Sequence, residues 1–177
     1  VKNYVKNKFD SFYNAIKNST KNLADYADVD SVTKIYLINE LGKNWDSGVS
    51  SLYFTYKQDE NGNWKFYGSP VWDYDNSLGN AKGVEWDLGN IGVNDYEQYS
   101  GWWCKYKDKG KNSNSTNNVM NLISRNKNVI KAAPQVWFED FVPALKTFMS
   151  SGVSEGEIYS SDVYYNYLKG SAEMNYK

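Results

Sequence analysis

The chain has 177 residues, with 20 Lys and Arg against 21 Asp and Glu, one cysteine and no histidine. This length suits one domain with a real core, and so balanced a charge offers no field to attract nucleic acid or an anionic membrane. The missing histidine excludes Ser-His and Cys-His catalysis and histidine metal sites, while the single cysteine excludes disulfide frameworks and thiolate clusters within the chain. Acid–base chemistry therefore falls to carboxylates, Lys or Tyr.

Two amphipathic helices are predicted first. Apolar residues at spacings of three and four predict a helix over 1–17, and a polar connection over 18–29 follows it. Asp30 is expected to cap a second helix, which Gly42 ends. Small polar residues around one Trp and one Asp then predict an ordered loop that carries Asp46.

A β-hairpin is predicted next. Its strands are the β-prone runs 52–57 and 64–67, which flank a polar segment with Asn-Gly at the tip. The return strand leads through a Pro-Val-Trp sequence to Asp73. The hairpin therefore separates Asp46 from Asp73 along the chain.

Two carboxylates, Asp73 and Asp75, flank Tyr74 directly after this apolar run. In an extended segment alternate side chains share a face, so the two carboxylates are expected to aim at one point and to offer the oxygen ligands that Mg²⁺ or Ca²⁺ prefers. The alternative is a simple turn, because Asp and Asn bond their own backbone and tolerate tight bends. The residues themselves leave both open.

Residues 79–118 are rich in Gly, Asn and Trp and show no sustained period. A long irregular Trp/Gly-rich loop region is therefore predicted, and 105–118 within it is the best candidate for disorder. Exposed aromatic rings suit sugars, since Tyr and Trp combine an apolar face with a polar handle. Three tryptophans are candidates for such a glycan or substrate platform, although core and loop-anchoring roles are the alternative: Trp86, Trp102 and Trp103.

Three further helices are predicted near 119–131, 135–149 and 154–169, the second of them in spite of Pro143. The predicted fold class is α+β, a mostly helical domain over 1–177 with one β-hairpin and the irregular region. No apolar run reaches the roughly 20 residues that span a bilayer, and the first residues do not resemble a signal peptide. The Asn-, Ser-, Tyr- and Lys-rich composition is typical of a secreted or cell-surface bacterial protein.

The order of these elements carries a functional prediction. Kinase-like phosphotransferases also place one Asp in a loop after a helix and a second Asp beyond a hairpin. The first accepts or orients the proton of the attacking hydroxyl, and the second holds Mg²⁺ on the ATP phosphates. Asp46 and Asp73 occupy these two places in the order of the chain.

Three motifs resemble the CotH kinase family, the atypical kinases named for spore coat protein H. They are Asn-Glu-Leu-Gly-Lys-Asn-Trp-Asp over 39–46, Ser-Ser-Leu-Tyr-Phe over 50–54, and Gly-Ser-Pro-Val-Trp-Asp-Tyr-Asp over 68–75 with Leu-Gly-Asn over 78–80. The resemblance is specific over 30–80 and looser beyond. It implies an atypical protein-kinase-like fold, of which this chain corresponds to the C-terminal lobe.

The resemblance also implies roles for individual residues. Asp46 is the catalytic-loop Asp, Asp73 is the metal-binding Asp, and Asp75 is a further metal or support residue. Asn44 and Ser51 are the candidate cofactor-binding residues, with Mg²⁺ and ATP as the implied cofactors and Ca²⁺ as an alternative at the Asp pair. Ser51 departs from the family, many of whose members carry Asn there, so the metal site is expected to be weakened or rearranged.

Two functions are carried forward. The first is phosphoryl transfer from ATP to Ser or Thr of extracellular or surface proteins, for which an upstream β-rich lobe is expected in the parent protein and the isolated chain is expected to be inactive. The second is a non-catalytic extracellular module that binds glycan or a protein partner in a polysaccharide-degrading or cell-surface assembly. Neither needs nucleic acid or a membrane span.

Overall fold

The computed structural model describes residues 2–18, 20–44, 51–75, 77–78, 119–150, 154–155, 158–163, 165–166 and 168–169. The chain divides into two compact units, Val1–Ala133 and Pro134–Lys177. The predicted single domain over 1–177 stays a prediction. The predicted loop region 79–118 lies outside the described residues.

Helix α1 spans Lys2–Lys17 and confirms the first predicted helix. Its apolar stripe is buried only in the second half, at Phe12, Ala15 and Ile16. Tyr4 and Val5, in the first half, are exposed. The packing of α1 therefore depends on its C-terminal two turns.

Helix α2 spans Val29–Gly42 and begins two residues earlier than the capping prediction at Asp30 required. Asp28 is the N-cap, and its carboxylate accepts a hydrogen bond from the Ser31 N–H at 2.8 Å. Asp30 instead lies in the first turn and pairs with Lys34 at 2.8 Å. Both positions favour a carboxylate at the positive end of the helix, which is why the sequence alone did not separate them.

Strands β1 (Phe54–Gln58) and β2 (Trp64–Gly68) pair antiparallel, as the hairpin prediction stated. The Asp59 N–H donates to the Asn63 carbonyl at 2.9 Å and the Gly62 N–H donates to the Asp59 carbonyl at 3.0 Å. Gly62 has φ +81°, so the loop is a turn closed by a left-handed glycine. Asp59 Oδ1 accepts from the Asn61 and Asn63 amides, and these hydrogen bonds, with Lys65 beside them, lower the pKa of Asp59 below its usual value.

An aromatic cluster joins α1 to the hairpin. Phe12 stacks on Phe66 with ring centroids 4.8 Å apart and meets Phe54 edge-on at 5.0 Å. Phe9 contacts Phe66 edge-on at 5.9 Å. Aromatic pairs in these offset and T-shaped arrangements contribute beyond their buried area, so this cluster fixes the hairpin on the helix.

The strand β2 is also held by the segment that precedes α2. Phe66 donates its N–H to the Tyr26 carbonyl and accepts from the Asp28 N–H, both at 2.9 Å, in a parallel bridge centred on Ala27. Two residues on, the Gly68 N–H donates to Ser31 Oγ at 3.2 Å. The end of β2 therefore lies directly against the first turn of α2.

Helices α3 (Val119–Arg125) and α4 (Lys127–Val136) replace the single helix predicted over 119–131. The break is at Asn126, whose side-chain oxygen accepts from the Asn128 N–H at 3.0 Å. Asn126 is buried, and its side-chain amide also donates to the Ile16 carbonyl at 3.1 Å. A residue that merely weakened the helical pattern in the sequence thus ends one helix and caps the next.

In the second unit, a π-helical turn over Trp137–Phe141 leads into α5 (Val142–Met149). The Val142 N–H donates to the Trp137 carbonyl, one residue beyond the ordinary helical spacing. Pro143 lacks an N–H and its ring crowds the carbonyl four residues before it, which accounts for the extra residue in the turn. The predicted helix over 135–149 is therefore confirmed, with one π-helical turn within it.

The last predicted helix, over 154–169, is wrong in its first part. Strands β3 (Ser154–Glu155) and β4 (Ile158–Tyr159) pair antiparallel, and helical residues follow at 161–163, 165–166 and 168–169. Glycine is unfavourable in a helix interior, so Gly156 argued against this helix in the sequence. The prediction gave more weight to the spacing of the apolar residues. The described residues are mostly helical with the hairpin of β1 and β2, which agrees with the predicted α+β class.

Candidate functional site

The C-terminus of α2 forms one wall of the candidate site. Lys43 adopts a left-handed conformation, with φ 47°, and its N–H bonds to the carbonyls of Asn39 and Glu40. The Asn44 N–H then donates to the Asn39 carbonyl at 3.1 Å. These bonds end the helix and direct Asn44 into the protein, where its side chain is fully buried.

Two side-chain hydrogen bonds converge on Asp73. Asn44 Nδ2 donates to the Asp73 backbone carbonyl at 3.3 Å, and Ser51 Oγ donates to Asp73 Oδ2 at 3.1 Å. The structure thus brings together three of the residues that the sequence singled out, from segments 22 and 29 positions apart along the chain. Asn44 positions the backbone of Asp73, and Ser51 orients its carboxylate.

The backbone at Asp73 is left-handed, with φ 60°, and strand β2 has already ended at Gly68. The premise of an extended segment with both carboxylates on one face is therefore wrong at this residue. Its φ lies in a region that Asp and Asn enter more readily than most other residues. Asp73 and Asp75 are both exposed to solvent.

Tyr74, the residue between Asp73 and Asp75, packs against the end of α2. A Cβ at Gly42 would lie 3.3 Å from Tyr74 Cε1, so the ring packs against a helix surface that has no side chain. The Leu78 N–H donates to the Gly42 carbonyl at 2.6 Å, and the Ser77 hydroxyl donates to the Tyr74 carbonyl. The segment that carries Asp73 is therefore fastened on both sides.

Asn39 and Glu40, the first two residues of the 39–46 motif, are both buried. Asn39 Nδ2 donates to the Ile35 carbonyl at 2.7 Å. Its Oδ1 is buried and accepts no hydrogen bond within the described part of the chain. Asn39 thus supports the helix end that leads to Asn44.

The described oxygen atoms near Asp73 are of types that Mg²⁺ accepts as ligands. Asp73 and Asp75 supply exposed carboxylates and Ser51 supplies a hydroxyl. Among the described residues, no three His, Cys, Asp or Glu side chains are grouped so that they could hold a metal ion by themselves. Mg²⁺ commonly takes one or two carboxylates and completes its shell with water and phosphate oxygens, while Ca²⁺ takes six to eight protein-rich ligands. Two exposed carboxylates are therefore compatible with Mg²⁺, and Asp73 and Asp75 are the residues that would hold it.

Tyr53 and Trp72 form an exposed aromatic pair that the sequence analysis did not single out. Their ring centroids are 6.1 Å apart at 74°, and their exposed fractions are 47% and 56%. The Ser69 N–H donates to the Tyr53 carbonyl at 3.4 Å, which holds the two segments side by side. Each ring lies next to the site in sequence, since Tyr53 is two residues after Ser51 and Trp72 directly precedes Asp73.

Four predicted site residues lie outside the described residues: Asp46, Trp86, Trp102 and Trp103. The proximity of Asp46 to Asp73 and the tryptophan platform stay predictions. Asn44 and Ser51, on either side of the loop that carries Asp46, are both within hydrogen-bonding distance of Asp73. No described helix is long and apolar enough to cross a membrane.

Comparisons with known proteins give one family. The protein-family model described as CotH kinase protein matches residues 1–132, about three quarters of the 177-residue chain. Neither the search of curated proteins nor that of solved structures returned a match. The matched range includes α1, α2, the hairpin, Asp73 and Asp75. The chain therefore belongs to the CotH kinase family.

Proposed function

We propose that this chain forms the floor of a CotH-type phosphotransferase site, which transfers phosphate from ATP to Ser or Thr of surface or secreted bacterial proteins. The observation that carries the proposal is the convergence on Asp73. Ser51 Oγ bonds its carboxylate and Asn44 bonds its backbone carbonyl, so two family motifs meet at one exposed acid. In this proposal Asp73 and Asp75 hold Mg²⁺, and Asp46 orients the acceptor hydroxyl.

Each residue has a distinct task in this proposal. When bound, Mg²⁺ neutralises charge on the ATP phosphates. Asp73 presents a carboxylate whose orientation is set by Ser51, and Asn44 fixes the backbone from which that carboxylate projects. Asp46 accepts a hydrogen bond from the acceptor hydroxyl, since a carboxylate is a weak base suited to orienting that proton.

Ser51 acts in the proposal by positioning Asp73. Its hydroxyl donates to Asp73 Oδ2 and so directs its proton at the acid that would hold the metal. The Asn found here in many family members would offer a carbonyl oxygen as a direct ligand. We therefore expect weaker metal binding in this chain than in a Ser51→Asn variant.

Nucleotide binding tests the proposal without requiring turnover. Isothermal titration of the chain with Mg-ATP should show binding that needs Mg²⁺ and weakens at least about tenfold in Asp73→Asn, the loss expected when one charged metal ligand becomes neutral. Asp10→Asn, which neutralises an exposed carboxylate on α1, is the matched control and should bind as the parent does. Equal affinity in the parent chain and Asp73→Asn would contradict the metal role of Asp73.

Transfer itself is tested on this chain together with its natural flanking sequence. Labelled phosphate should pass from ATP to a protein acceptor, and Asp46→Asn should abolish the transfer while leaving Mg-ATP binding in place. Loss of nucleotide binding in Asp46→Asn would show that Asp46 contributes to the cofactor site rather than to the acceptor hydroxyl.

A second candidate function is glycan binding, and the exposed pair of Tyr53 and Trp72 favours it. Two aromatic faces beside exposed carboxylates suit a sugar, whose C–H face packs on a ring while its hydroxyls bond to acid oxygens. Titration with soluble polysaccharide fragments should quench tryptophan fluorescence, and Trp72→Ala should remove the response. A response that survives in Trp72→Ala, or no response in the parent chain, would reject this pair as the glycan site.

A further inference from the structure

An open cavity lies at the C-terminal end of α1, within the first unit. Its volume is about 480 Å³, and the described residues that line it are Asn14, Lys17, Asn18 and Lys21. Asn14, Lys17, Asn18 and Lys21 recur at spacings of three and four, so the helix and the turn after it present them on one side. None of the four belongs to the site around Asp73.

The cavity lining is cationic. The described lining residues supply two ammonium groups and two amides, and none of them is a carboxylate. In the described part of the chain, Lys6, Lys34 and Lys65 each have a carboxylate partner within 4 Å, whereas Lys17 and Lys21 have none. Lys21 lies over the Tyr26 ring at 5.6 Å, a contact that holds the side chain without neutralising it.

Several oxygen atoms at the C-terminal end of α1 already accept hydrogen bonds. The carbonyls of Ala15 and Ile16, at the negative end of α1, accept from Asn126 Nδ2 at 3.4 and 3.1 Å. Asn18 Oδ1 accepts from both the N–H and the hydroxyl of Thr20, at 3.0 and 2.8 Å. The Asn18 amide is therefore oriented by its oxygen and keeps its NH₂ group as a donor.

We propose that this cavity binds the phosphate group of a phosphomonoester. Two lysines match the charge of about −1.5 to −2 that such a group carries near pH 7, whereas a carboxylate would balance only one of them. The amides of Asn14 and Asn18 add neutral donors for its oxygens. A cavity of about 480 Å³ exceeds the size of a phosphate alone and leaves room for the residue that bears it.

The proposed phosphate site is independent of the metal site. None of its described lining residues is a carboxylate, and it requires neither Mg²⁺ nor Asp73, so its ligand should bind equally well to the parent chain and to Asp73→Asn. Because both lysines are exposed, the affinity for inorganic phosphate should be modest and should fall as salt is raised.

The test is a two-dimensional ¹H–¹⁵N NMR titration at constant ionic strength. Inorganic phosphate and a phosphoserine peptide are the two probes, and the unphosphorylated peptide is the blank. Saturable shifts of the Asn14 and Asn18 side-chain amides with both probes would support the site, and tighter binding of the peptide would identify a phosphorylated protein as its source. The absence of saturable shifts with either phosphate probe would overturn the proposal.

Two double variants separate a built site from general charge attraction. Lys17→Gln with Lys21→Gln should weaken phosphate binding about tenfold or more, the effect of removing both charge-assisted donors. Lys2→Gln with Lys8→Gln removes the same charge from exposed positions on the same helix and should leave binding unchanged. An equal loss in both double variants would show that the phosphate responds to the net charge of α1 alone, and the site would be rejected.

Discussion

Replacing Gly68 with alanine tests how closely the hairpin approaches α2, on which the position of Asp73 depends. An added Cβ would lie 2.6 Å from the Ser31 carbonyl oxygen and 2.5 Å from Ile35 Cγ2. The Ile35 methyl belongs to a buried side chain and the Ser31 oxygen to the backbone of the first helical turn, so neither can move freely. Relief requires the end of β2 to move away from α2, which also stretches the bond from the Gly68 N–H to Ser31 Oγ at 3.2 Å.

The expected loss of stability follows from three terms. Overpacking costs about 1–3 kcal/mol, and weakening the Gly68–Ser31 hydrogen bond costs about 1 kcal/mol more. The lower conformational entropy of the unfolded alanine variant offsets about 0.4–1 kcal/mol of this loss. A net loss of about 2 kcal/mol should lower the urea midpoint of the first unit by about 1 M, given a slope near 2 kcal/mol per M.

The assay is urea unfolding followed by tryptophan fluorescence and by far-UV circular dichroism. Gly62→Ala is the matched control, because no atom lies within 4 Å of its added Cβ and only the left-handed backbone, with φ +81°, opposes it. That strain should cost about 1 kcal/mol. If Gly68→Ala unfolds at the same urea concentration as the parent chain, or at a higher one than Gly62→Ala, the close approach of β2 to α2 is refuted.

Three further outcomes are expected. Asn44→Ala leaves a buried cavity and removes the hydrogen bond to the Asp73 carbonyl, so it should lower the free energy of unfolding by about 1–3 kcal/mol. It should also weaken Mg-ATP binding, and an unchanged affinity would contradict the positioning role of Asn44. Asp28→Ala removes the N-cap bond to Ser31 and should cost about 1 kcal/mol of unfolding free energy in urea without changing ligand binding, whereas Asp28→Asn should recover most of that stability. The pKa of Asp59 is lowered in the folded hairpin, so the stability that its carboxylate contributes is present above the unfolded pKa near 3.8 and disappears as the pH falls through the lower folded value. Asp59→Asn should flatten this part of the stability–pH curve, and an unchanged curve would refute the assignment.

The sequence predicted those parts of the fold that local patterns determine. The α1 prediction was confirmed because its apolar spacing is sustained over four turns, and the hairpin was confirmed because an Asn-Gly tip needs a left-handed residue that Gly62 supplies. Local patterns failed where a single polar residue or proline changed the backbone. Asn126 divides one predicted helix because its side chain bonds to a carbonyl of α1, over a hundred residues away.

At the candidate site the sequence singled out residues that lie together, but it did not predict their geometry, and their roles stay predictions. The motifs named Asn44, Ser51 and Asp73, and the structure places hydrogen bonds among them. The sequence did not predict the left-handed backbone at Asp73, because Asp only tolerates that conformation and does not require it. With this backbone the segment is not extended, so the alternation of side chains that predicted a shared face for Asp73 and Asp75 does not apply. The aromatic pair at Tyr53 and Trp72 was missed because exposure depends on how the two segments pack, which spacing does not reveal.

The left-handed backbone at Asp73 also bears on how this position can drift in evolution. Branched and bulky side chains are strongly disfavoured at φ 60°, whereas Asn and Gly adopt that conformation with little strain. Relatives that have lost the carboxylate should therefore carry Asn or Gly there more often than Val or Ile. If Asp73 holds the metal as proposed, a change of Asp to Asn at this position would mark the loss of that role in a chain that still folds.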